Sequence, residues 1–147
     1  MNPLIKRIYD AREYQKQKGW EKTYWAIDLH NTIIKSTHKK VQEGDKPWRD
    51  CYPYAIESLK ELSLRKDICL ILYTSSFQKE IDNIDEWFIS QGINFQYVNN
   101  NPECPNTEYA DFNTKFYFDV LIDDKAGFDP NLWEDIYREL LGLKGQI

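Results

Sequence analysis

Asp28 closes a short apolar run, Tyr24-Trp25-Ala26-Ile27-Asp28, and Thr32 follows four residues later. Two more carboxylates, Asp123 and Asp124, stand directly after a second apolar run, Val120-Leu121-Ile122. Thr74 and Ser75 follow a third, Leu70-Ile71-Leu72-Tyr73. A carboxylate can attack phosphorus directly. Carboxylate and phosphate repel, so a cation has to lie between them. Asp28, Asp123 and Asp124 offer hard oxygen ligands with no Cys or His cluster beside them, a donor set that suits Mg2+ held partly through water. A hydroxyl at a strand end just before a helix can bind a phosphate oxygen beside the helix N-terminus. Thr74 and Ser75 are placed for that role, and Ser75 or Ser76 can also cap the helix.

These groups need a frame that gathers strand ends. Residues 3–18 read as a helix, with Asn2 as cap, Pro3 at the first turn and Gly19 as stop. Its apolar stripe is Leu4, Ile5, Ile8 and Tyr9. It precedes the first chemical motif and is expected to be an addition outside the core, packed back on the domain or on a partner. A chain starting near Gly19 is then expected to fold. Residues 23–28 form the first strand, and 33–50, with Gly44 and Pro47, form a hairpin or loop. A helix from Pro53 to about Arg65 presents Ala55, Ile56, Leu59 and Leu62 on one face. Ile68–Tyr73 is apolar throughout, as in a strand covered on both faces of a parallel sheet. A helix over 77–91, a strand over 93–98, a polar loop over 99–111 and a strand over 118–122 follow. A last helix starts at Asp129-Pro130, with Leu132, Trp133, Ile136, Tyr137 and Leu140 inward. Asp129 reads as its cap or as an outer member of the acidic group. Alternating strands and helices predict an α/β fold with a mostly parallel sheet. Ligands in such sheets bind at the carboxyl ends of the strands. Asp28, Thr74 and the Asp123-Asp124 pair all sit there.

The segment Ala26-Ile27-Asp28-Leu29-His30-Asn31-Thr32-Ile33 resembles the first motif of the haloacid dehalogenase superfamily, an apolar strand followed by D-x-D-G-T. Thr74 is similar to the second motif and Asp123-Asp124 to the fourth. Lys115 best matches the third-motif lysine, because Lys125 follows Asp124 too closely to reach back as easily. The resemblance covers residues 23–141. It implies a three-layer α/β/α HAD-like Rossmannoid core over 23–147, with 1–22 as an N-terminal helical extension. It also implies an Mg2+-dependent phosphohydrolase that works through an aspartyl-phosphate. Asp28 would be nucleophile and Thr74, Ser75 and Lys115 phosphate ligands. Asp28, Asp123, Asp124 and the main-chain carbonyl of His30 would hold the metal. His30 replaces the family's acid/base Asp, and Asn31 replaces its Gly. Imidazole can serve as acid and base near neutrality. The alternative is a catalytically silent domain that binds phosphate or a partner on the same fold. The intervals 33–73 and 75–114 leave no room for a cap domain. An open site of this kind accepts large substrates or borrows a cover from a neighbouring subunit, so homo-oligomerisation is an open expectation.

Length and composition fit this reading. The chain has 147 residues, enough for one domain with a real core. A net charge of −5 argues against non-specific nucleic-acid binding, which needs a cationic field, and is compatible with a phosphorylated substrate in a locally positive pocket. Most of the five Trp and ten Tyr are expected in the core or at its rim. Cys51, Cys69 and Cys104 show no CxxC spacing and an odd count, which points to reduced thiols, with Cys69 in the core. There is no signal-peptide pattern at the start and no membrane-length apolar stretch. A cytoplasmic protein that engages no membrane is expected.

Overall fold

Thr23–Asp28 (β1) and Ile68–Tyr73 (β2) pair in parallel along their whole length, Thr23 beside Ile68 and Asp28 beside Tyr73. This is a computed structural model that describes residues 2–35 and 50–142. Val120–Ile122 (β4) joins the other side of β1, and Tyr97–Val98 (β3) lies on the far side of β2. The order is β3-β2-β1-β4, with every pairing parallel. The chain leaves β1 for β2 and β3 on one side and returns to β4 on the other. The connection therefore reverses between β1 and β4, where parallel sheets open a crevice at their carboxyl ends.

Among the described residues, four α-helices flank the sheet: Pro3–Lys18 (α1), Ala55–Ser63 (α2), Gln78–Ser90 (α3) and Leu132–Gly142 (α4). The arrangement is the expected α/β, Rossmann-like three-layer fold. Register explains one side of the core. Trp25 pairs with Leu70 and Val120, and Ile27 with Leu72 and Ile122, so all six share a face. They are buried in one cluster with Leu59 and Leu62 of α2 and Trp133, Ile136 and Leu140 of α4. On the opposite face Ala26, Cys69 and Ile71 are also buried. Double-sided burial is why β2 reads as an unbroken apolar run.

Helix α1 packs back on the domain, one of its two expected placements, but its apolar face joins the core instead of lying outside it. Asn2 caps it through Leu4 N–H at 2.8 Å, and Gly19 ends it in the left-handed region at φ 67°, as its sequence predicts. Ile5, Ile8 and Ala11 are buried in the same cluster as β1 and β4. Arg7 Nε donates to the Asp119 carbonyl at 2.9 Å, and Tyr9 bonds Glu139 of α4. Packing is thus continuous across residue 22.

Other boundaries shift for local reasons. The strand expected over 93–98 pairs only at Tyr97–Val98, and its start is drawn away from the sheet, Ile93 N–H onto Phe88 of α3 at 2.9 Å and Asn94 N–H onto Ser63 Oγ at 3.0 Å. The last helix begins at Leu132, not at Asp129-Pro130. Asp129 forms a turn instead, its carboxylate accepting Asn131 N–H at 2.9 Å and its carbonyl Leu132 N–H at 2.8 Å. Most of the hairpin or loop expected over 33–50 lies outside the described residues. Its two ends run antiparallel, with Lys35 N–H on Asp50 at 2.8 Å and Tyr52 N–H on Ile33 at 2.9 Å. No described helix is long and apolar enough to cross a membrane.

Candidate active site

The end of β1 is locked by a tight turn. Ile33 and Ile34 N–H both return to the Leu29 carbonyl, at 2.9 and 3.1 Å, and Asn31 takes a left-handed φ of 61°. Asn tolerates that conformation better than most residues, so Asn31 does the conformational work of a glycine. The turn sends Thr32 inward, where it is fully buried, and its carbonyl accepts the Trp133 indole N–H at 2.7 Å. The Thr32 hydroxyl sits between two acids. It accepts Asp124 N–H at 3.0 Å and has one proton to give, to Asp28 Oδ2 at 3.0 Å or Asp124 Oδ1 at 3.3 Å. One side chain thereby holds the ends of β1 and β4 in register.

Asp28, Asp123 and Asp124 converge. One carboxylate oxygen from each lies within 4.8 Å of the others, and all three residues are half-buried. The Asp123 carboxylate also accepts Lys125 N–H at 3.0 Å, within a 3-10 turn over Asp124–Ala126. Burial, then the Asp124 carboxylate and more distantly the Asp123 charge, push the Asp28 carboxyl up to about 7. Thr32 and the Leu29 N–H oppose the shift without cancelling it. Without a cation, the cluster therefore keeps a proton that an ordinary aspartate would have lost.

The end of β2 forms the opposite wall. Thr74 is buried, and its N–H donates to Asn99 Oδ1 at 2.8 Å while Asn99 Nδ2 donates to the Thr74 carbonyl at 2.7 Å. Asn99, at a left-handed φ of 53°, thus clamps the backbone of Thr74. The Thr74 hydroxyl lies 2.8 Å from Ser76 Oγ, which is 3.3 Å from His30 Nε2. That ring nitrogen also meets Glu80 Oε1 of α3 at 2.9 Å. Neither serine caps α3. Phe77 occupies the cap position with no side-chain bond, and Ser76 N–H turns back to the Thr74 hydroxyl at 3.2 Å.

These walls enclose a cleft of about 500 Å3 that Asp28, His30, Thr74, Ser75, Asp123 and Asp124 all line. Lys115 is not among its lining residues. Thr114 and Phe116 on either side of it are, and the Lys115 ammonium lies over the Phe118 ring, 5.7 Å from its centre. Lys125 lines the cleft instead. Asp129 is exposed and takes no part in the carboxylate cluster. Sequence reasoning missed Glu80 as a partner of His30 and Asn99 as the clamp on Thr74. The one available signal for Asn99 was its place at the start of the polar loop. Glu80 had none beyond an acidic residue in the first turn of a helix.

No protein-family model and no curated protein matches this chain. Among solved structures, a conserved protein from Bacteroides thetaiotaomicron is similar, with a TM-score of 0.59 and 25% identity over 82% of this chain and 91% of its own. That likeness supports the α/β fold reached from the sequence.

Proposed function

We propose that this chain is an Mg2+-dependent phosphohydrolase of the haloacid dehalogenase type, acting on phosphomonoesters through an aspartyl-phosphate on Asp28. The observation that carries this reading is the carboxylate cluster Asp28, Asp123 and Asp124 at the point where the sheet reverses, in one cleft with Thr74 and Lys125. The donor set fits a hard cation: three carboxylate oxygens lie within 4.8 Å of one another, and burial together with the Asp124 carboxylate raises Asp28. Asp28, Asp123, Asp124 and the His30 carbonyl would hold Mg2+. The bound ion would offset the negative charge of carboxylates and phosphate together.

In this reading one Asp28 oxygen attacks phosphorus as the bond to the ester oxygen breaks. The His30 ring gives that oxygen its proton. Thr74, Ser75 and Lys125 hold the non-bridging phosphate oxygens. His30, now neutral, then takes a proton from water, which attacks the phosphorus of the aspartyl-phosphate and returns Asp28 as carboxylate. Glu80 supports the imidazole throughout, 2.9 Å from Nε2.

A panel of phosphomonoesters, assayed with and without Mg2+ beside the Asp28→Asn protein, tests the reading. Turnover that needs both Mg2+ and Asp28 supports it, and equal turnover by Asp28→Asn removes it. One observation favours the silent binder: His30 stands where the family has an acid/base Asp, and its ring is shared between Glu80 and Ser76. That reading expects phosphate binding with no turnover of any ester.

A further inference from the structure

We propose that the cleft selects phosphomonoesters that carry a flat ring on the leaving alcohol, with Tyr73 and Phe116 as the stacking surface. This rests on the phosphatase reading of the same cleft. The phosphoryl group is accounted for by the acidic cluster, Thr74, Ser75 and Lys125, yet a cleft of about 500 Å3 leaves space for much more than a phosphate. Part of the remaining wall is aromatic. Tyr73 is the register partner of Asp28, so the two side chains leave the same face of the sheet as cross-strand neighbours. Every other residue of β2 is buried, whereas Tyr73 is 42% exposed and lines the cleft.

Phe116 meets the Tyr73 ring edge-on, with centres 5.7 Å apart and planes at 70°. Phe118 braces Phe116 from behind at 5.8 Å and 67°. The rings of the aromatic wall are therefore already packed on one another without a ligand, which lowers the cost of binding a ring. Polar groups line the rest of the cleft, but Tyr73 and Phe116 are its two aromatic side chains, and Lys115 lies over Phe118, outside it. A ring beside the ester oxygen would meet Tyr73.

Two matched pairs of esters isolate the ring while keeping the leaving group a primary alkoxide. Adenosine 5'-monophosphate against ribose 5-phosphate reports a nucleobase, and benzyl phosphate against cyclohexylmethyl phosphate reports a simple arene. In at least one pair the ring-bearing ester should show a KM lower by about tenfold, the usual weight of one ring stacked on an aromatic side chain. The pair with the larger ratio identifies the kind of ring. Tyr73→Leu, which keeps apolar bulk without a flat face, should narrow that ratio several-fold, and Tyr73→Phe should retain it. Phe116→Leu gives a second reading of the same wall if Tyr73→Leu melts early. Asp28-dependent turnover with equal KM values in both pairs, or a ratio unmoved by Tyr73→Leu and Phe116→Leu, overturns the ring selectivity and leaves the phosphatase reading intact. No turnover of any ester overturns both.

Discussion

At the residue scale, Asp28 is the attacking group of the proposed mechanism, and its environment makes a pH prediction. Its carboxyl is raised to about 7 in the fold, from an ordinary value near 3.8. Between those values the folded protein holds a proton that the unfolded chain has released. Stability from this group is therefore full below about pH 4 and falls as pH rises through about 7. Melts without divalent cation should show that decline, on the order of 2 kcal/mol once solvent screening is allowed for. Asp28→Asn should flatten it, and a slope of the same size in that variant would remove Asp28 as its source. His30 makes a kinetic prediction. His30→Ala should lose roughly 10²–10⁴-fold in turnover, the usual weight of general acid–base catalysis. His30→Asp, which restores the acid/base residue of the resembled family, should keep or raise the rate. Equal rates in all three proteins would take His30 out of the proposed mechanism.

Helix α1 carries more of the fold than its composition suggests. Burial of Ile5 and Ile8 is worth roughly 1.5–3 kcal/mol each, against a typical total stability of about 5–15 kcal/mol. A chain starting at Gly19 should lose much or all of its cooperative unfolding. An unchanged melting temperature would show that the helix only rests on the sheet. The loop after β3 makes a smaller, more local prediction. Asn99→Ala removes both bonds to the Thr74 backbone, and should weaken phosphate binding several-fold more than it lowers the melting temperature would suggest. Inorganic phosphate titrations of both proteins, read beside their melts, check this.

What was readable in the sequence divides along the same line. β1 and β2 were legible because double-sided burial leaves an unbroken apolar run, and Asp28 and Asp123-Asp124 because each closes such a run. The cap and stop of α1 were legible because Asn2 and Gly19 act locally. Its packing was not, since four apolar residues in a charged helix do not say which surface they meet. Separation along the chain favours Lys115 over Lys125, but the turn of each side chain decides which one lines the cleft. Glu80 and Asn99 act on partners 50 and 25 residues away, which the fold alone brings close.

For the molecule as a whole, the net charge is −5 and the cleft is acid-rich, so under the proposed function a cation would take part in binding the anionic substrate. Mg2+ should raise the melting temperature of the wild type, because a ligand that binds only the folded state stabilises it by mass action. The most direct measurement is fluoroberyllate binding in the presence of Mg2+, followed by fluorine NMR. Fluoroberyllate mimics a phosphoryl group and bonds a carboxylate oxygen, so it reports the nucleophile without needing the true substrate. The wild type should give a bound fluorine signal that depends on Mg2+ and is absent from Asp28→Asn. The same bound signal in both proteins would contradict the assignment of Asp28 as the attacking group.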